Sequence, residues 1–161
     1  MILKALPLAF VVMVSVSGAA WAQGPKYEVS RIEARLYFEG SGEIGTVNLL
    51  DGKAHGLWNT IIGEAGRPSS VTWVLVELTG PTFVSAPRRL MVTAKTKKKA
   101  LLSQTVTLAS YFNEGGRLML PFLVHGTGCG TLVISATLVD LPTARSASTT
   151  ARGSVPFECG E

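Results

Sequence analysis

Histidine and cysteine are scarce in this chain, two of each in 161 residues, and that scarcity removes most metal and thiol chemistry at the outset. His55 and His125 form no His-x-His or His-x-x-x-His pair, the local spacing that holds many zinc and copper ions. Met91 and Met119 are the thioethers a copper set would need, yet both fall in strand-like runs where methionine is expected in the core. No metal site and no cofactor is expected. The glycine-rich stretch Gly126-Thr127-Gly128-Cys129-Gly130 lacks the glycines at 127 and 131 that a nucleophile elbow requires, threonine standing at both. Thr131 also breaks the dinucleotide-binding glycine pattern, and no lysine follows to make a phosphate loop. No catalytic residue is assigned.

Long helical periods are missing too, as are internal repeats, so bundles and solenoids are excluded. There is no apolar run of the roughly 20 residues that cross a bilayer. The N-terminus instead reads as a Sec signal over residues 1–22: Lys4 supplies the charge, Ala5 to Val16 the apolar region, and Ala20-Trp21-Ala22 the small-residue cleavage site. Twin arginines are absent, as is a cysteine near the cleavage site to carry lipid, and no stable membrane anchor is expected after cleavage. The absence of any Asn-x-Ser/Thr acceptor fits a bacterial source. The expected location is periplasmic or secreted.

The remaining residues 23–161 suffice for one domain with its own core. Loss of Lys4 takes the formal charge from +4 to +3, with 14 Lys and Arg against 11 Asp and Glu. That is far from the dense basic stripe of a nucleic-acid binder, and no nucleic-acid partner is expected.

What is present is alternation. Ile32, Ala34, Leu36 and Phe38 alternate with charged and polar residues between Tyr27 and Glu39, a strand with one wet face. Ile44 to Leu50 is expected to return as a short strand before the Asp51-Gly52 turn, making a first hairpin. Val71 to Thr79 is almost continuously apolar or β-branched, as suits a central strand covered on both faces. Leu90 to Lys95 and Leu101 to Ser110 flank a lysine-rich turn as a second hairpin. Arg117 to Val124 contains Pro121, which argues for an edge or a bulge. Thr131 to Val139 and Arg152 to Phe157 complete about eight strands, and Ala144 to Ala151 reads as a Ser/Thr/Ala loop. The fold class is all-β, an antiparallel β-sandwich of immunoglobulin-like architecture. The Cys, Trp, Cys order of antibody domains is absent, since Trp58 and Trp73 precede both cysteines.

Cys129 and Cys159 are expected to form one disulfide in an exported chain, worth roughly 3–4 kcal/mol for a loop of about 30 residues. A plain hairpin with Cys129 opposite Cys159 pairs positions summing to 288, but it turns Val155 and Phe157 to the face of Thr131, Val133 and Ser135. Either a bulge at the glycines flanking Cys129 shifts the register by one residue, or the bridge joins two sheets.

Three surface features remain. Leu57, Trp58, Ile61 and Ile62 lie between flexible turns and either plug one end of the sandwich or form a partner contact. Arg88, Arg89, Lys95, Lys97, Lys98 and Lys99 either gather as an anion contact or are a solvated hairpin end. Glu77 interrupts an apolar strand and is expected to point to water. Together these describe an exported, non-catalytic binding domain of the cell envelope, its partner another envelope protein or a surface polymer. The alternatives are a small exported hydrolase or metal-binding protein with loops gathered around His125, and an inhibitor or accessory subunit of an envelope enzyme.

Overall fold

The computed structural model describes residues 27–52, 67–82, 87–108, 115–140 and 148–157. The signal segment, His55, the cluster Leu57, Trp58, Ile61 and Ile62, and Cys159 lie outside the described residues. Eight strands are described: β1 Glu28–Phe38, β2 Glu43–Ile44, β3 Val71–Thr79, β4 Arg88–Lys95, β5 Ala100–Leu108, β6 Arg117–His125, β7 Gly130–Asp140 and β8 Ser148–Phe157. They form two four-stranded antiparallel sheets, ordered β2-β1-β3-β6 and β5-β4-β7-β8, with no helix among the described residues. This is a β-sandwich-like arrangement.

Period-two alternation determines which side chains meet between the sheets. Ala34, Leu36, Val74, Val76, Leu78 and Val124 from the first sheet share one core with Leu90, Val92, Leu132, Ile134, Leu138 and Val155 from the second. Tyr27, just ahead of β1, is 3% exposed. Its ring lies under Gly80, where a Cβ would overlap it, and the Arg88 guanidinium of the opposite sheet covers it. A single ring therefore ties the entry of β1, the exit of β3 and the start of β4 together.

The β7–β8 register follows the apolar faces of the last hairpin and not the plain pairing that sets Cys129 opposite Cys159. Partners are Gly130↔Phe157, Thr131↔Pro156 and Leu132↔Val155, one residue away from the plain hairpin, and β7 and β8 are neighbours in one sheet. Burying Val155 and Phe157 is worth roughly 1.5–3 kcal/mol each, so the slipped register would forfeit about as much as a disulfide provides. Gly130 has a φ of 105°, a conformation that favours glycine, and it sits where β7 begins. Pro156 and Pro121 both occupy edge strands, as prolines in sheets do.

Three expectations need correction. Ile44 to Leu50 is not a strand beyond Ile44. Gly45 and Leu49 donate backbone N–H groups to Leu36 and Ala34 carbonyls at 2.8 and 2.7 Å, while Asn48 Oδ1 accepts the Ala34 N–H at 3.0 Å. A buried side chain thus takes the place of a ladder acceptor. Asn48→Ala leaves that N–H unsatisfied, and a loss of about 1–3 kcal/mol is expected in urea unfolding; an unchanged midpoint would refute the role. Ser148 to Ala151, expected in a loop, belongs to β8, because Leu138 and Val139 supply partners for Thr149 and Ser148. Finally, the outer face of β3 is less completely covered than the inner one. Its Trp73 and Leu75 are half-buried on the outer face, with no third layer over them among the described residues.

Candidate functional site

The outer faces of the two sheets differ in charge. On the first sheet, Arg31 and Arg35 both reach Glu33 at 2.9 Å. Arg117 reaches Glu77 at 2.6 Å, so Glu77 is buried against an arginine and does not point to water as expected. Arg67 pairs with Glu43 and lies over the Phe38 ring; the hydrogen bonds from Arg67 and Ser41 hold the Glu43 carboxyl below its ordinary range. Every arginine described on this side has a carboxylate. Between these pairs run Trp73, Leu75, Pro121 and Leu123, with Ile44 and Met119 42% and 49% exposed. An open depression of about 520 Å³ begins on this apolar stripe and reaches Gln104 of β5.

On the outer face of the second sheet the exposed cations have no acid beside them among the described residues. Asp140, at the end of β7, is the one carboxyl residue in its four strands. Among the described residues Arg89, Lys95, Lys97, Lys98, Lys99 and Arg152 make no salt bridge. Thr96 builds the turn: its N–H donates to the Lys99 carbonyl at 2.9 Å, and its hydroxyl accepts from the Lys98 and Lys99 amides at 3.3 Å. The turn therefore leaves Lys97, Lys98 and Lys99 exposed. Lys95 and Thr93 share the outer face of β4, and the pairing Thr93↔Ser135↔Arg152 carries that face across to β8. Three adjoining depressions of about 460, 220 and 210 Å³ run over Lys95, Lys97, Lys98 and Arg152, floored by Thr93, Thr131 and Ser135. The arrangement can hold an extended anion by charge and hydroxyl hydrogen bonds.

Not every residue expected in the anion contact belongs to it. Arg88 is 3% exposed and faces inward, because alternation along β4 puts it on the face of Leu90 and Val92; solvent does not reach it as an anion contact requires. Arg89 faces outward, but six residues from Lys95 along a strand is about 20 Å. Arg152, Thr131 and Ser135 were not expected in an anion contact from the sequence. Their signal was the β7–β8 register: giving the apolar positions priority over the cysteines pairs Arg152 with Ser135.

Among the described residues, His125, Met91 and Met119 do not converge. Met91 is 38% exposed on the outer face of the second sheet and Met119 is exposed on that of the first, which corrects their expected place in the core. His125 is exposed at the end of β6, six positions or about 20 Å from Met119 along the strand. No group of three His, Cys, Asp or Glu that could hold a metal occurs among the described residues. The glycine-rich stretch is pinned down: the Thr127 N–H and hydroxyl both donate to the Ser70 carbonyl at 3.0 Å. Cys129 is exposed just ahead of β7.

No family model matches the chain, and no curated protein matches it. Among solved structures, the chain is similar to the Bifidobacterium dentium β-glucuronidase complexed with coumarin-3-O-glucuronide, with 7% identity and a TM-score of 0.40, over 81% of this chain and 18% of that one.

Proposed function

We propose that this chain is an exported, non-catalytic binding domain of the bacterial cell envelope, which holds an anionic surface polymer on the outer face of its second sheet. The observation that carries the reading is the separation of charge. The arginines of the first sheet are matched by carboxylates, while Lys95, Lys97, Lys98 and Arg152 have no carboxylate among the described residues and share one hydroxyl-lined surface. Unmatched charge on one face raises the local concentration of a counter-charged ligand. The experiment is titration of the mature chain with polygalacturonate or poly-glutamate at several salt concentrations. If four cations are neutralised, counterion release as seen with single-stranded polyelectrolytes weakens binding roughly 50-fold between 50 and 200 mM salt. Binding indifferent to salt, or none at low salt, overturns the reading.

The finer fold reading rests on strand order. With β1, β3 and β6 as strands A, B and E, and β4, β5, β7 and β8 as C, C′, F and G, the two sheets follow an immunoglobulin-like order. A Cys129–Cys159 disulfide joining the C-terminus to the start of β7 is part of the same proposal, supported by the oxidising compartment that an export signal implies and by the bend at Gly130. Thiol titration of the unreduced, unfolded chain is expected to find no free thiol, and two reactive thiols would remove the bridge.

A further inference from the structure

A two-sheet sandwich has four sheet edges, and here three of them are protected. The β1 side ends in the two-residue β2, and the following chain caps the rest of that edge through Asn48 and Leu49. On β6, Pro121 removes a donor and Arg117 adds charge; on β8, Pro156 and Arg152 do the same. The start of β1 also reaches across to β8, Val29 N–H donating to Thr149 Oγ1 at 3.0 Å. Among the described residues β5 has no such protection: its sequence, ALLSQTVTL, holds no charge, proline or glycine over nine residues, and β4 is the one strand described as pairing with it. A long uncharged edge presents a row of open backbone donors and acceptors to any extended chain.

The packing under this edge is unfinished as well. On β4 the inward residues Leu90, Val92 and Ala94 are fully buried, but their β5 partners are not: Val106 and Leu102 are half-buried and Gln104 is exposed. Across the sandwich, Leu118 and Leu120 of β6 are half-buried although their β3 partners Leu78 and Val76 are fully covered. The core therefore opens along the seam between β5 and β6. A strand added to β5 would close it, setting every second side chain over Leu102, Val106, Leu118 and Leu120.

We propose that the outer edge of β5 is a strand-addition site for an extended segment of a partner polypeptide, with alternating apolar residues and acidic residues at its C-terminal end. The polarity follows from charge. An antiparallel addition, the more stable pairing, ends beside the start of β5, where Lys97, Lys98 and Lys99 make no salt bridge among the described residues. A second copy of this chain does not suit that place. Its own β5 is followed by Ala109-Ser110-Tyr111-Phe112-Asn113, and its first carboxylate beyond the strand, Glu114, stands six positions past Leu108, about 20 Å along an extended chain and beyond the lysine turn. The site meets the polymer face at Lys97 and Lys98 but extends away from it, because strand addition uses the edge and inward side of β5, not Lys95 or Arg152.

The test uses the mature chain and ten-residue peptides that alternate valine with serine. One ends in two glutamates, one begins with them, and one carries a central proline. Affinity is read by fluorescence anisotropy and the docking position by amide hydrogen exchange. Binding of the first peptide with new protection along β5 is expected, about tenfold tighter than the second, with the proline peptide failing. Gln104→Lys points a charge into the seam and is expected to weaken the first peptide at least tenfold, whereas Ser103→Lys, on the outer face, changes it less than threefold. The proline peptide makes the comparison without altering the protein. Absence of β5 protection, equal binding to Gln104→Lys, or a doubled mass in sedimentation that Gln104→Lys abolishes would each overturn the proposal. Polymer binding that survives in Gln104→Lys while the peptide is lost separates the two sites.

Discussion

Tyr27→Ala is expected to lower the free energy of unfolding by about 3–5 kcal/mol, the range for truncating a buried aromatic side chain. Tyr27→Phe, which keeps the ring and gives up the hydroxyl's 3.3 Å hydrogen bond to the Pro81 carbonyl, is expected to cost about 1 kcal/mol. The gap between the two comes from what the ring covers. Gly80 lies against one part of it and the Arg88 guanidinium over it, so alanine leaves a cavity and uncovers a cation that is 3% exposed. Arg88→Met keeps most of the volume and gives up the contact of the guanidinium with the ring, worth about 2 kcal/mol when desolvated. The expected order of denaturation midpoints therefore sets Tyr27→Ala far below Tyr27→Phe and Arg88→Met. If Arg88→Met proved as damaging as Tyr27→Ala, the guanidinium and not the ring would be holding the junction.

The other large effect is on binding. Reversing Lys95, Lys97 and Arg152 together to glutamate is expected to reduce affinity for polygalacturonate at low salt by roughly 10²-fold, since each exposed charge contact contributes about 0.2–1 kcal/mol and reversal replaces attraction by repulsion. Arg89→Glu serves as the control. It changes net charge by the same amount per residue, but it sits about 20 Å from Lys95 along β4, beyond the Debye length of about 14 Å at 50 mM salt. A loss of less than threefold is expected there. An equal loss per residue at both places would mean that net charge, and not the surface around Lys95, governs the interaction. None of these residues is buried, so circular dichroism and the unfolding midpoint are expected to stay near those of the parent chain.

Alternation carried much of the architecture into the sequence. The run Ile32, Ala34, Leu36, Phe38 specifies the buried face of β1, and Pro121 and Pro156 mark edge strands because a proline cannot donate to a ladder. Strand partners were less legible, since pairing β1 with β3 and β3 with β6 depends on loops that period-two patterns do not describe. Asn48 shows a second limit: its residues 44–50 read as a strand, but one side-chain oxygen substituted for backbone pairing. Glu77 shows a third, because the arginine that permits its burial, Arg117, is 40 residues away in sequence. For the candidate surface, the lysine turn was visible as composition. Arg152 and Ser135 join it only through a register that two competing signals, apolar faces and facing cysteines, set one residue apart.

The position of β3 also bears on how the chain acquires its structure in time. Trp73 pairs with Arg35 about 40 residues behind it and with Leu123 about 50 ahead, whereas β4 and β5 close on each other across one short turn. Local pairs form early and distant ones late. The most apolar strand must therefore wait for its second neighbour until β6 has been made available, and a chain emerging from its N-terminus passes through a stage in which the hairpin is complete while the strand preceding it still has one open side.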